Sequence, residues 1–118
     1  MTNPHAACPT AELRRPCHSH PVNPTYELSD VQRRALGYAR QGAVRVLISA
    51  CGPDASTRAT VEHVGTPYWV RARSLPQWLT YKSLYKAGVV LIVRDDTRYP
   101  YDYKIVPNPE HPINQGAS

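Results

Sequence analysis

Two hydrophobic periods run along the middle of the chain, and each change of period marks an element. From residue 30 the apolar positions Val31, Ala35, Tyr38 and Ala39 recur at helical spacing, while Arg33, Arg34, Arg40 and Gln41 fall largely outside that stripe. Ser29 and Gln32 stand at the spacing of a capping box, in which the hydroxyl accepts from the N–H three residues on and the amide reaches back. Gly42 supplies the C-terminal stop. The run Ala43 to Cys51 is β-branched and of strand length, closed by Gly52-Pro53-Asp54. Arg58 to Val64 and Tyr68 to Arg73 alternate enough for two more strands around a turn at Gly65-Thr66-Pro67. A second capping box at Ser74 and Gln77 predicts a helix with Pro76 in its first turn, where a missing N–H does no harm. That helix runs to about Ala87 and stops at Gly88. Two last strands, Val89 to Arg94 and Tyr101 to Val106, flank the charged loop Asp95-Asp96-Thr97-Arg98-Tyr99-Pro100. The order α-β-β-β-α-β-β belongs to an α+β domain.

Composition divides the chain into three. Residues 1–25 hold five prolines and only two branched aliphatics, Leu13 and Val22, so this arm is expected to be extended, lacking the burial that would offset its ordering entropy. Residues 107–118 read as a polar, Pro-rich tail. Residues 26–106 contain both Trp, all eight Tyr and nearly every branched aliphatic, and they form the globular domain. The same segment has 12 cationic and 7 anionic residues, which accounts for the whole net charge of +5. A charge of +5 is modest for a nucleic-acid binder; one cationic face would mean nucleic acid, and scattered placement would mean solubility. No stretch of about 18 apolar residues exists to span a membrane. The N-terminus lacks the apolar region of a secretory signal, so a cytoplasmic protein is expected.

A capped helix, a strand, a later helix ending in Gly and a polar-tipped hairpin follow one another. The carrying residues are Ser29-Asp30, Gln32 to Leu36, Leu79 to Leu84, Ala87 to Val90, Leu91 to Arg94, and Tyr101, Tyr103 and Ile105. This order over residues 28–106 resembles winged-helix DNA-binding domains of the compact kind found in small actinobacterial and phage proteins. The resemblance implies two to three helices with a β-hairpin wing, and a regulatory or accessory role on duplex DNA. It would present Gln77, Thr80, Tyr81, Lys82 and Lys86 to a major groove and place Arg94 and Arg98 near phosphates. Arg71 and Arg73, two apart on one side of a strand, join the same set. Asp95 and Asp96 at the wing tip oppose phosphate contact. A complete helix-turn-helix has one more helix where residues 43–73 read as strand. Either Arg73 to Leu79 supplies a short helix, or the domain is a sheet with one or two helices packed on it. A protein-interaction or assembly factor whose arm and tail order on a partner is the second reading of function, with exposed aromatics as anchors.

The arm also concentrates metal-capable side chains. His5, Cys8, Cys17 and His20 form an HxxC…CxxH pair, with His18 as another fourth ligand, and such a set suits a structural zinc that would replace a missing core. Cys51 reads as a small buried hydrophobe. No nucleophile motif, phosphate loop or HExxH occurs. Asp54, Glu62, Asp95, Asp96 and Asp102 have no spacing that forces convergence, and nothing links His63 to His111. The expectation is a protein that is not an enzyme.

Overall fold

The structure is a computed structural model that describes residues 17–48, 52–67, 69–70, 74–98 and 100–115, with the side chains of residues 96 and 98 outside that description. In chain order its elements are β1 (Cys17–His18), α1 (Asp30–Arg40), β2 (Val44–Leu47), β3 (Thr60–His63), α2 (Trp78–Lys86), β4 (Val90–Arg98), β5 (Tyr101–Pro107) and α3 (Pro112–Gln115). Among the described residues the architecture is α+β, with three helices and one five-stranded antiparallel sheet in the order β1-β4-β5-β2-β3.

The capping box forms at α1. Gln32 N–H donates to Ser29 Oγ at 3.3 Å, and Ser29 N–H donates to Gln32 Oε1 at 2.8 Å. The Gln32 amide then donates to Tyr26 Oη and to Ser83 Oγ, so the residue that starts α1 also fastens it to α2. Helix α2 begins later than its sequence suggests, at Trp78 with Gln77 as an unassisted cap. The reason is Pro76, which is buried and disfavours helical backbone in the residue before it, so a helix cannot run through Leu75 from a box at Ser74. Gly88 ends α2 at φ +77°, and a Cβ there would lie 2.7 Å from Pro21 O and Val22 Cα. Glycine is therefore required at 88 twice over, for the turn and for the close passage of another segment.

Alternation separates the two faces of the sheet. Val44, Val46, Val90, Ile92, Tyr103 and Ile105 are buried beneath the helices with Ala35, Leu36 and Ala39 of α1 and Trp78, Tyr81, Leu84 and Tyr85 of α2. Burial of each large apolar side chain contributes about 1.5–3 kcal/mol, so this layer supplies most of the stabilisation. The opposite face, open in the sense that neither long helix packs on it, carries Arg45, Glu62, Lys104 and Asp95, all half-buried, with Val93 opposite Lys104 and Cys17 opposite Val93 in the ladder.

Several elements differ from the pattern read along the chain. Among residues 68–73 only Trp69 and Val70 are described, and they form a turn with Val70 N–H on Pro67 O, not a strand. The charged segment from Asp95 is largely strand: β4 continues to Arg98 past a bulge, and Arg98 pairs with Tyr101 of β5. Asp95 is thus mid-strand, where it accepts from Thr97 N–H and Thr97 Oγ1. Both terminal segments pack. Cys17–His18 adds a strand to β4, and Asn23 N–H donates to Ala87 O. His111 is fully buried; its Nδ1 accepts from Ile113 N–H, which leaves Nε2–H to donate to Asn23 O at 2.8 Å. Residues 108–115, polar by composition, hold on through hydrogen bonds: Asn108 Nδ2 to Gly88 O, and Asn114 Nδ2 to Val89 O and Asn108 O.

Candidate nucleic-acid interface

The two long helices carry Arg33, Arg34 and Arg40 on α1 and Lys82 and Lys86 on α2. The acids beside them are Asp30, on Arg33 at 3.8 Å with both side chains exposed, and Glu27, on the segment entering α1. How each cation is satisfied matters. Arg34 Nη2 donates to Ser74 O at 2.6 Å, Arg40 Nη2 to Ile113 O at 3.3 Å, and Lys82 Nζ to Ser56 O at 2.7 Å. A carbonyl oxygen fixes the side chain without cancelling its charge. Lys86 is exposed and has no partner among the described residues.

The residues singled out by sequence are partly brought together. Gln77 is exposed at the start of α2, Thr80 is half-buried, and Lys82 and Lys86 lie one turn apart, the first half-buried against Ser56 O and the second exposed. Tyr81 does not face outward: it is 0 % exposed, and its hydroxyl shares a 2.7 Å hydrogen bond with His63 Nε2. Its spacing explains the correction, because Trp78, Tyr81, Leu84 and Tyr85 form the one apolar stripe of α2. Arg94 is half-buried with its guanidinium 5.9 Å from the Tyr103 ring centre, directed into the sheet and away from a wing tip. Arg71, Arg73 and the Arg98 side chain lie outside the described residues.

Titration follows burial here. Burial and the Arg34 charge lower the His63 pKa from its ordinary value. Burial pushes the Tyr81 phenol well above its usual range, so it stays protonated. On the open face, hydrogen bonds from Thr97 lower the Asp95 pKa, helped by the charges of Arg45 and Lys104.

Of the four metal-ligand candidates, His5 and Cys8 lie outside the described residues. Cys17 is in β1, and burial raises its thiol pKa. His20 Nε2 contacts Asp54 Oδ1, and the other carboxylate oxygen accepts from Tyr85 Oη at 3.2 Å. A carboxylate on one imidazole nitrogen is the support that ligating histidines usually have. Among the described residues no three His, Cys, Asp or Glu side chains are grouped to hold a metal ion.

The chain-order reading missed one position. Gly37 sits inside α1, where glycine costs helix stability, and an interior glycine that packing does not require is itself a signal. Comparison with protein-family models, with curated proteins and with solved structures finds no match to this chain.

Proposed function

We propose that the protein is a small nucleic-acid-binding protein, a regulatory or accessory factor that meets duplex DNA through the outer surface of its helices. The observation that carries this reading is that Arg34, Arg40, Lys82 and Lys86 on the two long helices have carbonyl partners or none, and no carboxylate partner among the described residues. Phosphate neutralisation by such a surface releases counterions and drives association. The run from α2 through Gly88 into β4, with β4, β5 and β2 side by side, supports the winged-helix-like version. That version lacks one part among the described residues, since β3 and not a helix lies between β2 and α2. The test is a salt titration of binding to random-sequence duplex DNA. Micromolar affinity that falls steeply with salt is expected; no binding at low salt overturns the reading. A second reading, attachment to a protein partner, is favoured by Leu79, 64 % exposed on the outer face of α2.

A further inference from the structure

Gly37 is a glycine that the fold does not ask for. Its φ is not in the left-handed region, and a Cβ built there meets nothing within 4 Å. Alanine would fit and would favour the helix, so neither conformation nor packing accounts for the missing side chain. What its absence leaves is a depression. A cavity of about 270 Å³ opens there, lined by Arg34, Gly37, Tyr38 and Gln41.

The walls of this depression are planar and held. The Tyr38 ring is fixed edge-on against His63, with centroids 4.9 Å apart. The Arg34 guanidinium is held by Ser74 O. The Gln41 carboxamide stands at the rim with no partner among the described residues. Trp69, 71 % exposed, belongs to the connection between β3 and α2. That connection is tied at one end by Val64 N–H on Ala43 O and at the other by Arg34 on Ser74 O.

We propose that this depression is a subsite for one unpaired nucleobase. The proposal rests on the nucleic-acid reading and adds to it: the target contains a strand with an unstacked base and is not uniform duplex. A phenol ring and a guanidinium plane are both surfaces on which bases stack. A carboxamide offers a donor and an acceptor to a base edge, and the bare backbone at Gly37 lets the ring approach the helix.

The test uses the full chain and three labelled probes: oligo(dT) of about 15 nucleotides, an abasic strand of the same length, and a blunt duplex. Oligo(dT) is expected to bind about tenfold tighter than the abasic strand, which has the same charge and no bases. Gly37→Leu fills the depression and should bring the preference close to one, with the thermal midpoint unchanged or raised. Gln41→Ala, beyond the helix end, should reduce the preference severalfold and decides the matter if the leucine disturbs folding. Equal affinity for the two single strands overturns the proposal, as does a preference that survives in a folded Gly37→Leu protein. Salt-dependent duplex binding without base preference removes this inference and leaves the proposed function standing. No binding to any probe removes both.

Discussion

On the open face of the sheet Arg45 and Lys104 approach a single carboxylate, that of Asp95, at 3.7 and 3.8 Å. On the helical layer Arg34, Arg40 and Lys82 approach carbonyl oxygens instead. Arg45 also donates to a carbonyl, Gly42 O at 3.0 Å, so what sets the first arrangement apart is the countercharge, one carboxylate between two cations. A net charge of +5 therefore says little until each partner is known. A basic side chain beside a carboxylate adds less to the surface field than one held by a carbonyl.

The most severe way to break this contrast is to detach one layer from the other. Leu84 is fully buried between α2 and the sheet, and Leu84→Ala should cost about 2–5 kcal/mol in denaturant unfolding. Leu91→Ala, at a half-buried position of β4, should cost less than half as much. Next comes the charge itself. Arg33→Gln and Lys86→Gln should each lower the slope of log affinity against log salt by about one, while Lys104→Gln leaves it unchanged. Equal effects of Lys86 and Lys104 would show that the two surfaces do not differ. Asp95→Asn is smaller in stability, about 1 kcal/mol from weakened bonds to Thr97, and it should make the open face bind DNA where it had not.

Acid should act on the two surfaces in separate windows. The His63 pKa is lowered in the fold, so below about pH 6.5 the unfolded chain takes up the proton first and stability falls as pH falls. His63→Gln should flatten that limb of a stability–pH curve. The Asp95 pKa is also lowered, so its contribution is present above the ordinary value of 3.8 and is lost as pH falls through its lower folded value. The least effect expected is a gain: Gly37→Ala should stabilise α1 by up to about 1 kcal/mol in thermal unfolding.

What could be read along the chain was what local chemistry decides. The Ser29–Gln32 box and the stops at Gly42 and Gly88 form as their residue types require. The α+β class follows from the two hydrophobic periods. The start of α2 was misplaced because the capping pattern at Ser74 competes with Pro76, and a steric prohibition outweighs a favourable hydrogen bond. The strand β1 and the packed segment after Asn108 were invisible, because polar segments dock through hydrogen bonds to distant backbone that leave no hydrophobic period. Of the interface, Lys82 and Lys86 were legible as a pair one turn apart. Tyr81 was misassigned because chain order was given more weight than the face on which the residue lies. No spacing could have revealed that Arg34 and Lys82 end on carbonyls, since those carbonyls belong to residues 40 and 26 positions away.

The bond between His111 and Asn23 spans 88 positions and brings the two flanks of the domain to one place. A short linker between those flanks would replace a non-covalent fastening with a covalent one. New ends could then be cut into the exposed turn at Thr57–Arg58. Such a circularly permuted chain should keep the same sheet order and free both original flanks from carrying chain ends, so that fusions or labels sit far from where the chain now closes on itself.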